Sequence, residues 1–177
     1  MKGFNGVLAF LLAGLLLPAA AMGKEARKMT TMTLTSPVFA GGGGIPARHT
    51  CDGADISPPL AIANVPDGTK SLALILDDPD APVGTWVHWV VWNIPATTRE
   101  LAEGSLPAGA LEGKNSWQRN RYGGPCPPSG VHRYFFKLYA LDASLTLGSG
   151  TAKADLERAM EGHVIGRAEL MGTYRRR

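Results

Sequence analysis

The sequence predicts an all-β domain, mainly antiparallel, folded as a β-sandwich with one or two peripheral helices. Three observations predict it. Short runs rich in β-branched and aromatic residues recur along the chain, Gly, Pro, Asp and Asn punctuate them, and one stretch has strong helical periodicity. The chain has 177 residues. That is enough for one domain with a proper core and too few for two ordinary ones.

The first element is not part of the domain. Lys2 gives a positive start, an apolar run follows from Val7 to Leu17, Pro18 breaks it, and small residues follow to Gly23. This is the pattern of a secretory signal over residues 1–23, with cleavage after Ala21 or Gly23. The other reading, an uncleaved anchor, suffers from a run shorter than the ~20 residues a spanning helix needs. Residues 24–30 are expected to be a flexible segment, and residues 31–177 the domain. No membrane anchor is expected once the signal is removed. Residues 1–23 carry one lysine and no acid, so the formal charge falls from +3 to +2 on cleavage. Arg175, Arg176 and Arg177 form a basic tail, but no basic stripe or aromatic RNA motif accompanies it, so nucleic acid is not an expected partner.

The strands follow in order. Residues 31–36 alternate threonine with Met32 and Leu34, as a half-buried strand does. Residues 60–64 form a short run between prolines, 71–76 (SLALIL) a buried run, and 86–94 (WVHWVVWNI) a run of strong β-formers. Residues 133–141 alternate and are aromatic, and 168–173 make a last strand. Residues 154–162 are helical, with Leu156, Ala159 and Met160 on one face and Gly162 to end the helix. A weaker helical turn is expected near residues 98–104. Residues 95–130 are mostly loop, and an irregular stretch this long inside a compact domain usually has a task or covers a site.

An exported domain meets an oxidising compartment. Its two cysteines, Cys51 and Cys126, point to one disulfide, with two separate buried thiols as the other reading. Such a bond closes a long loop and contributes ~3–5 kcal/mol on chain-entropy reasoning. Neither cysteine lies in a CxxC pair, which argues against redox or zinc chemistry.

Three segments can carry chemistry. Asp78-Pro79-Asp80-Ala81-Pro82 places two acids on a backbone stiffened by two prolines. In Trp86-Val87-His88, alternation sends Trp86 and His88 to one face and Val87 and Trp89 to the other. The upstream acids could accept the His88 N–H and fix its tautomer. In the third, a Gly/Pro-rich loop (residues 122–130) leads into His132-Arg133-Tyr134, whose His132 and Tyr134 share a face. Two acids and two histidines could also hold a divalent metal and activate water, although no HExxH or GxSxG motif accompanies them. A third reading makes the chain a protein-interaction module acting through residues 106–121.

DPDAP, then WVHW, then GPCPPSGVHRY, in this order, resemble the phosphatidylethanolamine-binding protein family, also called Raf kinase inhibitor-like proteins. Residues 51–60 (CDGADISPPL) look like its bacterial YbhB/YbcL branch. The likeness runs from about Met32 to Tyr174. It implies a β-sandwich of Greek-key topology with a small anion pocket at one end. The implied ligand-binding residues are Asp78, Asp80, Trp86, His88, Gly124, Pro127, His132 and Tyr134. The acids would orient the histidines, and histidine, tyrosine and loop N–H groups would converge on a phosphate or a phosphorylated head group. The signal pattern makes a periplasmic or secreted location the expectation, and the resemblance implies a binding protein without enzymatic activity, cofactor or metal, able to inhibit or modulate a partner protein. Arg121 departs from the small residue expected there. The kinase-regulating role of eukaryotic members is not carried over to an exported chain.

Overall fold

In the computed structural model, the residues described are 30–176 together with Met1 and Gly3. The rest of the segment expected to be a secretory signal, residues 24–29 and Arg177 lie outside them. The strands are β1 (Thr30–Thr31), β2 (Thr33–Thr35), β3 (Leu60–Ala63), β4 (Ser71–Asp78), β5 (Trp86–Pro95), β6 (Glu100–Leu101), β7 (Leu111–Glu112), β8 (His132–Leu141) and β9 (Val164–Tyr174). A 3-10 turn spans Ala47–His49, and one helix, α1, spans Lys153–Met160. Six strands form a sheet in the order β1-β9-β8-β4-β5-β7, and β2-β3-β6 form a second. Pairing is antiparallel except for β1 against β9. The all-β sandwich is therefore the observed fold.

The sequence of β4 shows how the layers are made. Leu72, Leu74 and Leu76 enter a core shared with Leu34, Leu60, Ile62 and Leu101 of the small sheet. Ala73 and Ile75 enter a second core with Leu156 and Met160 of α1. A strand buried on both faces needs an unbroken apolar run, and SLALIL supplies it. Each fully buried leucine or isoleucine contributes ~1.5–3 kcal/mol, so both cores hold this strand in place.

Three expectations change. The run at 31–36 is two strands, because the chain leaves the large sheet at the buried Met32 and joins the small one, as strands do at sandwich corners. The expected helical turn at 98–104 is instead β6. Glu100 and Leu101 pair with Ala61 and Leu60, and Leu101 is buried against the core, so tertiary packing overrides the local helical tendency. The last strand is longer than expected, pairing with β8 from His132↔Tyr174 to Leu141↔Val164. The loop between β6 and β8 is not free-standing. Gly113, Ser116 and Gly123 donate backbone N–H groups to Val90, Val87 and His88, so the loop lies along β5.

The connection from β5 visits the small sheet at β6 and the far edge at β7. It then returns to the other side of β4 as β8. This Greek-key step brings the C-terminal end of β4 and the N-terminal ends of β5 and β8 together at one end of the sheet.

Candidate functional site

Asp78 ends β4 and is buried. Its two oxygens are both engaged. Oδ1 accepts the Asp80 backbone N–H at 2.8 Å, and Oδ2 accepts from His132 Nδ1 at 2.7 Å. A carboxylate that only accepts leaves the hydrogen on His132 Nδ1, which turns Nε2 outward from that bond. The expectation that an acid orients a histidine therefore describes His132.

His88 is held differently. Its Nδ1 donates to the Gly123 carbonyl at 2.7 Å, while the Gly123 N–H donates to the His88 carbonyl at 3.0 Å. A carbonyl, not an upstream acid, fixes this tautomer. Burial pushes the His88 pKa below its ordinary value, against the opposing pull of the Gly123 carbonyl and the Asp78 charge. The neutral ring thus carries its hydrogen on Nδ1 and a lone pair on Nε2.

A bulge aims this ring. β4 and β5 pair Leu76↔Trp89 and then Asp77↔Val87, so His88 has no opposite residue. Val87 packs toward α1, whereas Trp89 lies in the sandwich core. Simple alternation sent Trp89 to the Val87 face. The extra residue places His88 and Trp89 consecutively away from that face, which is how a bulge redirects a side chain beside a site.

Around His88 the rings pack edge to face. Its centroid is 5.2 Å from Tyr134 and 5.1 Å from Trp117, and Trp117 is 5.3 Å from Trp86. Two buried donors here have no hydrogen-bond partner among the described residues, the Trp86 indole N–H and the Tyr134 hydroxyl. The Asp78 carboxylate and the Cys126 backbone stand near enough to act on the Tyr134 phenol, but neither meets hydrogen-bond geometry. Burial first, and then the Asp78 charge, pushes that phenol's pKa well up, so it stays a donor.

Asp80 sits at the rim. Its carboxylate is gripped by Arg133, which donates from Nε and Nη2 at 2.9 and 2.7 Å and from its backbone N–H at 2.9 Å. The Arg133 hydrogen bonds hold the Asp80 pKa at about 2. Arg133 lay within the quoted motif, yet its role was missed, because on the strand it alternates with the pocket face. Gly124 has its N–H already engaged, donating to Asp55 Oδ1 at 2.6 Å. A Cβ there would meet the His49 carbonyl oxygen at 2.6 Å, so close packing requires glycine. Pro127 is buried in the same loop.

A disulfide joins Cys51 to Cys126, 75 residues apart, with Cα atoms 5.4 Å apart. Cys51 N–H donates to the Pro125 carbonyl, and Tyr122 donates its hydroxyl hydrogen to the His49 carbonyl. The Gly/Pro loop is thus tied at several points to residues 49–55. Among the described residues, no three His, Cys, Asp or Glu side chains are grouped to hold a metal ion. The acids that a metal would need are bonded to His132 and Arg133 instead.

Comparisons with known proteins agree with this architecture. The family model of the phosphatidylethanolamine-binding protein matches residues 35–175. A UPF0098 protein of Methanothermobacter thermautotrophicus is 55% identical over 150 residues, covering 82% of this chain and 99% of that one. A UPF0098 protein of Pyrococcus horikoshii is 50% identical over 151 residues, covering 80% and 76%. The crystal structure of CT736 from Chlamydia trachomatis, described as a homologue of that family, superposes with a TM-score of 0.80 at 45% identity, covering 83% and 99%. E. coli YbcL, described as a new member of the mammalian PEBP family, superposes with a TM-score of 0.78 at 34% identity, covering 82% and 99%. With its sandwich, its motifs and a match spanning most of its length, the chain belongs to the phosphatidylethanolamine-binding protein family.

Proposed function

We propose that the chain is an exported binding protein that takes a small, singly charged phosphate or phosphorylated head group between Tyr134, Trp86, His88 and His132, without turning it over. The observation that carries this reading is the pair of unpartnered buried donors, Trp86 N–H and Tyr134 O–H. An unsatisfied buried donor costs ~1–3 kcal/mol, and an acceptor oxygen on a ligand removes that cost. The family's description supports a phosphorylated head group as the ligand class. The leader and the disulfide support a periplasmic or secreted site of action.

The geometry also selects a protonation state. His88 Nε2 offers a lone pair, so it asks for a donor on the ligand. Asp78 lies behind the pocket as a buried acceptor, and Asp80 is neutralised by Arg133. A phosphate monoester monoanion brings one P–OH for the His88 lone pair and acceptor oxygens for the Trp86 and Tyr134 donors, whereas the phosphoryl group of the monoester dianion brings only acceptors. Phosphate monoesters exchange these forms at a pKa of ~6. Binding therefore strengthens as pH falls through that range because the ligand is protonated. A modulator acting on a partner protein would use the same pocket as its ligand-controlled face.

The test is calorimetric titration of the mature protein with phosphoethanolamine near pH 6, in metal-free buffer, beside His88→Ala. Saturable binding lost in the variant, with no phosphate released, is the expected result. No binding by the wild type, or release of inorganic phosphate, overturns the reading.

A further inference from the structure

A second concavity, of about 200 Å³, opens beside the pocket. It shares Trp117 and Gly123 with the surroundings of His88 and Gly124 with the residues implied for the first pocket, but none of Asp78, His88, His132 or Tyr134 lines it. Its wall carries Arg119 and Arg121, both exposed. Neither guanidinium has a hydrogen-bond or ion-pair partner among the described residues. Free arginines on a surface are ordinary. Two of them on the wall of one small concavity, on a loop that cannot wander, are a built arrangement.

Asn115 makes the loop rigid. It is buried, and its Oδ1 accepts the N–H groups of Trp117 and Arg119 at 3.0 and 3.1 Å. Its Nδ2 donates to the Arg121 carbonyl at 2.9 Å, and its backbone N–H to the Arg119 carbonyl at 3.0 Å. One buried amide thus sets the backbone of both arginines. Asn120, between them, is anchored elsewhere, donating to the Ser149 carbonyl. The concavity is lined in part by Gly123 and Gly124, which bring no side chain into it. A Cβ on Gly123 would strike the Trp117 ring at 2.7 Å, so the indole lies directly against that backbone.

We propose that this concavity is a second, separate oxyanion site, which takes a small phosphate or carboxylate group between the guanidinium groups of Arg119 and Arg121. The guanidinium fork matches both groups and donates in pairs. One acid, Asp55, lines the space, and one of its oxygens is held by the Gly124 N–H, so the lining keeps an excess of positive charge. The volume is below the ~300–1,000 Å³ of pockets for drug-sized ligands, which limits the occupant to an oxyanion with a short substituent against Trp117. This site is independent of the one proposed above, and either can fail without the other.

The experiment follows the arginine Nε–H and tryptophan indole resonances of the ¹⁵N-labelled protein as inorganic phosphate is added. Wild type, His88→Ala, Tyr134→Phe, Arg119→Gln and the Arg119→Gln/Arg121→Gln double variant are compared. Saturable shifts of the Arg119, Arg121 and Trp117 signals are expected in wild type and in Tyr134→Phe, and those of the two arginines also in His88→Ala, which removes the ring beside Trp117. Affinity should weaken about tenfold or more in Arg119→Gln, and the shifts should vanish in the double variant. Both arginines are exposed, so their replacement leaves the fold intact, and Tyr134→Phe serves should His88→Ala not fold. Arginine shifts that stay linear without saturation, that are absent in the wild type, or that disappear in the pocket variants overturn the proposal.

Discussion

Tyr134→Phe separates stability from binding. The Tyr134 side chain is fully buried, and its hydroxyl lacks a partner. Phenylalanine keeps the edge-to-face contact with His88 at 5.2 Å and removes only the oxygen. An unmet buried hydroxyl costs ~1–3 kcal/mol. The nearby Asp78 carboxylate and Cys126 backbone reduce that cost without forming a bond, so the lower end applies. The ligand-free variant should therefore be more stable than wild type by about 1 kcal/mol, which for a domain of this size raises Tm by ~2–4 °C. The same variant should bind phosphoethanolamine about tenfold or more weakly, since a donor to a charged acceptor contributes ~1.5–3 kcal/mol. Paired urea melts and calorimetric titrations measure both quantities. A variant destabilised by about 1 kcal/mol or more would refute the reasoning, because the hydroxyl would then have a structural partner. Undiminished affinity would remove Tyr134 from the ligand contacts.

Three further outcomes follow from the site. His88 is kept neutral by burial, with its pKa below the unfolded value of ~6.5. Its contribution to stability is complete above that pH and is lost as pH falls toward the folded pKa, with a slope of at most ~1.4 kcal/mol per pH unit. His88→Asn, whose amide can still donate to Gly123, should flatten the fall in urea midpoint between about pH 7 and pH 5, and an unchanged slope would remove His88 as its source. Opening the disulfide by a Cys51→Ser/Cys126→Ser change should lower stability by about 4 kcal/mol for a closed loop of this length, read as a loss of Tm, and a loss below ~1 kcal/mol would mean the loop is held by its hydrogen bonds alone. Gly124→Ala should cost about 1–3 kcal/mol, because its Cβ meets the His49 oxygen and Thr50 Cα at 2.6 and 2.8 Å. A neutral effect in urea melts would show that the 47–55 segment yields.

The strands and most of the motif residues were legible because each depends on its own neighbours. SLALIL reads as a doubly buried strand without knowledge of its partners, and His132-x-Tyr134 reads as one face. What could not be read depends on pairing across the chain. The bulge at His88 exists because β5 carries one residue more than β4 opposite it, and nothing in WVHWV alone records that. Asp55 reaches Gly124 across 69 residues and engages the loop N–H that the motif reading had left open for a ligand. Trp117 belonged to a stretch with no strand or helix pattern, and only the contacts of the folded loop place it against His88. The helical turn expected at 98–104 failed for the same reason, since Leu101 answers to Leu60 rather than to its own sequence.

The adjacent acids Asp77 and Asp78 show how one strand can serve two purposes. Alternation along β4 continues through both, so they leave the sheet on opposite faces. Asp77 follows Ala73 and Ile75 toward α1, where Lys153 at 2.5 Å and Lys137 at 2.9 Å meet its carboxylate. Asp78 follows Leu72, Leu74 and Leu76 into the sandwich, where it meets His132. A charge buried on each face would be untenable unpaired, and each has its own partner set. The first pins the helix to the sheet directly behind the site, and the second orients a histidine within it. The rigidity of this end of β4 is therefore part of how the proposed pocket would be held ready for an acceptor, with the Trp86 and Tyr134 donors already in place.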